Sequence, residues 1–250
     1  RAAQFVADYN PSADQQFTWH LIRNLQVPYR EVGKRVLVIG DSQGADFMNL
    51  LEHHPAFWEG NIRTFASSKH CQIMFSEAFY DNGHYRGRGE PPRGILNTCS
   101  DKSRQLREDS RLASAETIVL AYAWFPEAMP YLENEIAALR TLTDAEILVV
   151  GRKDQPDNSI KLLQTHKTID AGEKTAGMKR HLEISETEAA IINVVGTNSY
   201  IDLYSVFCRR KRCHHFTDTG TPIFYDSRHL TRDGAAFVGK KFEMLLLSSV

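Results

Sequence analysis

The stretch Val36-Leu37-Val38-Ile39-Gly40-Asp41-Ser42 decides how the rest of the chain is read. Its apolar run with β-branched residues matches a short strand buried on both faces, as a parallel sheet supplies. Gly40-Asp41-Ser42 closes that strand, and Phe47, Leu50, Leu51 and His54 follow at helical spacing up to Pro55. Strand, tight turn and helix follow one another. In open α/β sheets functional residues gather beyond the carboxyl ends of strands, so Ser42 is the first side chain to weigh.

The pattern repeats outward. Asn61 to Phe65, Thr117 to Ala121 and Glu146 to Gly151 read as further strands, with Tyr200 to Tyr204 and Pro222 to Tyr225 as shorter ones. Helical patterns cover Leu106 to Ser114 and Pro126 to Leu142, the latter with Pro at its first turn. Ser185-x-x-Glu188 ahead of an apolar run predicts a capping box opening a helix, and Thr231 predicts the cap of the last one. The Gly- and Lys-rich stretch from Arg152 to Arg180 reads as loop. Cys71 to Cys99, rich in Gly, Pro, Arg and aromatics, reads as a long irregular excursion of the kind that builds binding surfaces. Within it Tyr80, His84, Tyr85, Arg86 and Arg88 are weighed as a carbohydrate platform against ordinary loop residues. Upstream, Phe17, Leu21, Ile22 and Leu25 sit at the spacing of a short amphipathic helix.

Strands alternating with helices predict a single-domain, three-layer α/β/α fold of flavodoxin-like type with a mainly parallel sheet. Residues 1–34 read as an N-terminal extension or linker and residues 35–250 as the domain proper.

The totals narrow the function classes. The 250 residues carry 30 Lys and Arg against 31 Asp and Glu, a formal charge of -1. That balance supplies no global field to attract nucleic acid or an anionic membrane. Arg209-Arg210-Lys211-Arg212 is a local basic run, read as a solvated loop. No apolar run approaches the ~18 residues that span a bilayer, and no signal peptide opens the chain.

Four cysteines, Cys71, Cys99, Cys208 and Cys213, permit three pairings. Proximity favours Cys208–Cys213 and Cys71–Cys99, which implies an oxidising compartment. Zinc is the rival; the spacing, with His214-His215 abutting Cys213, is unlike a zinc ribbon. His53-His54, just before Pro55, reads as a solvated helix terminus. No metal and no cofactor are expected.

A serine hydroxyl needs an adjacent base to become a nucleophile at neutral pH. His229 suits that task, and Asp226, three residues earlier, can hold its Nδ1 proton and leave Nε2 facing Ser42. The Ser42 N–H, at a helix start, is a donor for a developing oxyanion. Asp202 is a weaker rival to Asp226, since no histidine follows it closely. Tyr122 and Trp124, after the third strand, suit either an acyl or sugar pocket or the core.

Val36 to Ser42 and Asp226-Ser227-Arg228-His229-Leu230-Thr231-Arg232-Asp233-Gly234-Ala235 together resemble the first and last blocks of the SGNH/GDSL hydrolase superfamily. More narrowly the chain resembles the extracytoplasmic SGNH domain at the carboxyl end of acyltransferase-3 membrane proteins, which O-acylate bacterial surface polysaccharides. The close Cys pair, the earlier Cys after the second strand and Trp124 fit that subgroup. The resemblance implies Ser42 as nucleophile, His229 as base and Asp226 as its orienting acid. It further implies an acyl donor delivered by a membrane acyltransferase-3 domain, a polysaccharide acceptor, and a periplasmic or extracytoplasmic location tethered to the inner membrane. The middle blocks depart from the pattern. The oxyanion glycine has no clear counterpart near Ser67-Ser68, and Ala121-Tyr122-Ala123-Trp124 replaces Gly-x-Asn-Asp. Backbone N–H groups of Ser42, Ser67 and Ser68 are the expected substitutes. Transfer to a sugar hydroxyl, hydrolysis by water, and non-catalytic polysaccharide binding are the three readings carried forward.

Overall fold

The computed structural model describes residues 11–53, 60–75, 94–166 and 168–246. The chain opens with two short helices, α1 (Pro11–Thr18) and α2 (His20–Asn24), then enters β1 (Arg35–Gly40) and α3 (Ser42–Leu51). There follow β2 (Asn61–Ala66), α4 (Ile95–Arg107), α5 (Ser110–Ser114), β3 (Thr117–Ala121), α6 (Leu132–Arg140) and β4 (Glu146–Val150). The last part comprises α7 (Ser159–Thr165), α8 (Ile169–Val195), β5 (Tyr200–Ile201), α9 (Tyr204–Phe207), a hairpin of β6 (Cys208–Arg209) and β7 (Arg212–Cys213), and α10 (Arg232–Leu246).

Strands β1 to β5 form a parallel sheet in the order β2-β1-β3-β4-β5, the flavodoxin-like order, whose direction of winding reverses between β1 and β3. Side chains alternate across it. Leu37, Ile39, Ile118 and Leu120 enter one buried cluster, with Phe65, Leu132, Ile136 and Ile191; Val38 and Val119 enter the other, with Phe47, Leu50, Phe207, Phe224 and Val238. The result is the expected α/β/α sandwich. Gly40 is demanded by packing: a Cβ there would lie 2.1 Å from the Ala121 carbonyl oxygen. A side chain would therefore wedge β1 from β3 at the point where the winding reverses.

Segment 11–32 lies along the domain. Leu21 and Ile22 are buried, the Thr64 hydroxyl donates to the Ile22 carbonyl (2.7 Å), and the Asn49 amide donates to the Thr18 carbonyl (3.2 Å). The Asn61 side chain accepts from the Arg30 N–H (2.9 Å) and donates back to its carbonyl (2.8 Å). The Asn61 amide thus ties residues 30–32 to the β2 edge, which no other strand covers among the described residues.

Several local expectations fail for identifiable reasons. Residues 152–180, read as loop, form α7 and the first 12 residues of the 27-residue α8. Thr168 caps α8 by accepting from the Ala171 N–H (3.2 Å), and the helix runs unbroken past Ser185-x-x-Glu188. A capping box records only local competence; burial of Ala176 and Ile191 at opposite ends sustains the helix through it. Pro126–Tyr131 is a 3-10 turn with Pro130 inside, because that proline lacks the N–H an α-helix needs, and α6 starts only at Leu132. Pro222 to Tyr225 is no sheet strand but makes isolated antiparallel bridges, Phe216 with Pro222 and Phe224 with Leu230. His54 and the Tyr80, His84, Tyr85, Arg86, Arg88 group lie outside the described residues.

Both disulfides are present, Cys71–Cys99 and Cys208–Cys213. Arg210 and Lys211 form the hairpin tip with φ of 49° and 61°, the left-handed pair that a two-residue turn requires. Arg212 is not simply solvated: it pairs with Glu173 (2.6 Å) and with Asp170 (2.5 Å), binding the hairpin to α8. On the loop-entropy model the Cys71–Cys99 bridge, with a sequence separation of 28, contributes about 3–4 kcal/mol against about 2 kcal/mol for Cys208–Cys213. The double variant Cys71→Ser/Cys99→Ser is accordingly expected to unfold at lower urea than Cys208→Ser/Cys213→Ser. The reverse order of midpoints would show that the short bridge acts through native packing.

Candidate active site

The reversal between β1 and β3 leaves a crevice beyond the carboxyl ends of those strands. Ser42 enters it as the first residue of α3. Asp41 caps that helix by accepting from the Gln43 N–H (2.8 Å), and its other oxygen accepts from the Ala123 N–H beyond β3 (3.1 Å). One carboxylate thus ties together the two chain segments that diverge there. Asp41 is almost fully buried, and burial pushes its pKa up to about 6 despite those hydrogen bonds. A raised folded-state value means that the native state holds an extra proton between the ordinary carboxylate range and pH 6. Asp41 therefore supports folding at acid pH and loses that contribution as pH rises through about 6. Asp41→Asn should gain on the wild type by up to about 3 kcal/mol between pH 4 and 7 in urea unfolding. A pH-independent difference would refute the assignment.

The partner residues arrive from the loop before α10. Thr231 caps α10 through the Gly234 N–H (2.9 Å) and donates to the Pro222 carbonyl (2.6 Å), which fixes where the loop leaves the helix. A Cβ on Gly234 would meet the Ile223 carbonyl oxygen at 2.3 Å, so this contact needs glycine. Asp226 folds back on its own turn: one oxygen accepts from the Arg228 and His229 N–H groups (2.7 Å each), the other lies 2.8 Å from His229 Nδ1. His229 Nε2 lies 2.7 Å from Ser42 Oγ. Burial alone would raise the Asp226 pKa, but the His229 hydrogen bond and charge and the two N–H donors outweigh it and hold the carboxyl below its usual range. The Tyr225 ring stacks on the His229 imidazole, 5.6 Å between centroids and 16° between planes.

Beneath the loop lies a polar cluster with little sequence signal. Lys153, after β4, is 1% exposed and pairs with the fully buried Asp46 of α3 (2.7 Å). Its ammonium also donates to Gln43 Oε1 (2.5 Å) and to the Arg228 carbonyl, while Asp46 accepts from the Leu230 N–H (3.2 Å). The backbone on both sides of His229 is thereby held from below. Burial pushes the Asp46 pKa upward, opposed chiefly by the Lys153 charge. The only hint in the sequence was Asp46 itself, one turn after Ser42 in an otherwise mostly apolar helix.

Other sequence candidates fall elsewhere. Trp124 and Tyr122 are core residues rather than pocket lining: they continue the alternation of Ile118 and Leu120 and so face the side of the sheet away from α3. The Trp124 indole N–H donates to the Val150 carbonyl (2.8 Å) and its ring packs edge-on against Tyr122. The Ser67 N–H is taken by the Gly40 carbonyl (2.7 Å), which removes it from the oxyanion donors. No acceptor among the described residues takes the N–H of Ser42 or of Ser68. Asp202, just before α9, accepts from the Ser205 N–H in its first turn (3.0 Å). His215 is buried against Phe224, its pKa pushed down to about 3 by burial. Among the described residues no group of three or more His, Cys, Asp or Glu is arranged to hold a metal ion.

A cleft of about 450 Å³ opens over Ser42 and His229. Its far wall comes from the N-terminal helices, with Ser12, Gln15, Gln16, Trp19 and Arg23, and Tyr225 completes it. A Ser–His–Asp chain of hydrogen bonds thus lies at the switch point of a flavodoxin-like sheet. Residues 15–244 match the family model described as the SGNH domain fused to AT3 domains, and the chain belongs to that family. In fold it is similar to the lipopolysaccharide acetyltransferase periplasmic domain of Salmonella ser. Paratyphi A, with a TM-score of 0.66 at 16% identity, covering 97% of this chain and 99% of that one. No curated protein matches the chain.

Proposed function

We propose that the domain is a serine O-acyltransferase that moves a small acyl group onto a hydroxyl of a bacterial surface polysaccharide. The observation that carries the chemistry is the Ser42–His229–Asp226 alignment, 2.7 Å and 2.8 Å between successive partners. Membership of a family whose domains are fused to AT3 domains supports a membrane acyltransferase as source of the acyl group. The periplasmic relative in Salmonella supports the same compartment, as do the two disulfides.

In the first step Ser42 Oγ attacks the acyl carbonyl carbon while His229 Nε2 takes its proton, and Asp226 stabilises the imidazolium. The donor's leaving group departs with that proton, leaving acyl-Ser42. In the second, His229 removes the proton of the acceptor hydroxyl, whose oxygen attacks the acyl carbon; the bond to Oγ breaks and Ser42 is reprotonated. The N–H groups of Ser42 and Ser68, on the neighbouring β1 and β2 ends, are the proposed oxyanion donors.

Mass spectrometry of wild-type protein after exposure to p-nitrophenyl acetate tests the reading. A single acetyl adduct on the peptide carrying Ser42 is expected, discharged faster by added glycan than by water. Discharge at the same rate with or without glycan favours the esterase alternative, and absence of any adduct removes the covalent mechanism.

A further inference from the structure

One wall of the cleft is built from the segment that the sequence presents as a connecting extension. Gln15, Gln16 and Arg23 line the cleft, yet none of their side chains makes a hydrogen bond or ion pair among the described residues. The Arg23 guanidinium lies over the Trp19 ring, 5.2 Å from its centroid, an arrangement that holds the cation without engaging its N–H donors. Among the described residues no lining residue is acidic. Asp14 and Asp226, the nearby carboxylates, accept from the Arg232 N–H (2.9 Å) and from His229 respectively. Among the described residues Arg23 is thus the one permanent charge on the lining.

The wall is also fixed in place. The Thr18 hydroxyl is 3.1 Å from Tyr225 Oη, and Tyr225 stacks on His229, so α1 is linked through Tyr225 to the ring that handles the proton. Asp14 ties α1 to the start of α10, while buried Leu21 and Ile22 anchor α2. An aromatic ring flanked by planar amide and guanidinium groups matches a pyranose: the ring carbons cover an aromatic face, and amides satisfy hydroxyls. A fork of guanidinium donors matches a carboxylate in two-point contact.

We propose that the α1–α2 wall is the acceptor subsite and that it takes a pyranose unit carrying a carboxylate, stacked at Trp19 and paired with Arg23. The inference rests on the acyl-transfer reading of the same cleft, since the sugar is placed there to bring a hydroxyl to His229 and Ser42. It makes Trp19 and Arg23 determinants of acceptor choice rather than catalytic residues.

The test separates binding from chemistry by using the Ser42→Ala protein, titrated calorimetrically with methyl glucuronide and with methyl glucoside. The glucuronide is expected to bind at least about tenfold more tightly, in line with a charge-assisted pair. Arg23→Gln in the same background should erase that advantage, and Trp19→Ala should weaken both sugars. Arg23 is exposed, so its variant keeps the test sound should Trp19→Ala disturb folding. Equal binding of the two sugars, or a glucuronide preference that survives Arg23→Gln, overturns the proposal. The acetyl adduct on wild-type protein is read separately: adduct formation with no sugar binding sinks the subsite alone, whereas sugar binding without an adduct supports the subsite and sinks the covalent mechanism.

Discussion

Ser42→Ala is expected to lower kcat/KM on p-nitrophenyl acetate by about 10³–10⁴ or more, with the thermal unfolding midpoint little changed. The size follows from what is removed. Oγ is the atom that would form the bond, and a methyl group cannot substitute for it. His229→Gln should cost a similar factor, because it removes the only imidazole beside Oγ among the described residues. The two losses should not multiply: without the nucleophile the base has nothing to deprotonate, so the double variant should resemble either single one. Asp226→Asn should also impair activity severely, since an amide cannot hold Nδ1–H and stabilise the imidazolium as the carboxylate does. Undiminished activity in Ser42→Ala would leave the domain as a binding module on an SGNH scaffold.

The second large effect concerns stability. Lys153→Met should lower the unfolding free energy by about 3–5 kcal/mol at neutral pH, because it leaves the fully buried Asp46 without its cation. Methionine preserves the length of the side chain, so the loss is chiefly electrostatic. The double variant Lys153→Met/Asp46→Leu should recover most of that stability, since paired removal takes away both desolvation costs. Recovery of the fold need not restore activity. The Arg228 carbonyl and the Leu230 N–H would both lose their partners from below, and His229 sits between them. A double variant with wild-type kcat would show that the ion pair serves packing alone.

Much of the architecture was legible because it depends on short-range patterns. The buried runs at Val36, Ile118 and Ile147 became β1, β3 and β4, and Thr231 caps α10 as its position suggests. Helix extent was less legible. The 27 residues of α8 carry no clean apolar stripe, because its environment changes along its length: Ala176 packs with the cluster beside the β6–β7 hairpin, and Ile191 with the opposite one. The Ser-Asp-His set could be named from residue type and order. Tyr122 and Trp124 stayed open between pocket and core, because an aromatic after a strand looks the same whether it turns toward the crevice or continues the strand's alternation.

By itself the sequence determined the parallel α/β layering, favoured both cysteine pairings, and named the serine, histidine and aspartate that meet at the β1 end. The layering is written in periodicity, the cysteine pairs in proximity, and the serine, histidine and aspartate in residue type together with the resemblance to the SGNH superfamily. Only the tertiary structure decided that Lys153 reaches Asp46 beneath His229 and that α1 and α2 wall the cleft. Those contacts join residues distant along the chain. Their strength comes from being withdrawn together from water, a condition that exists only once the layers have closed.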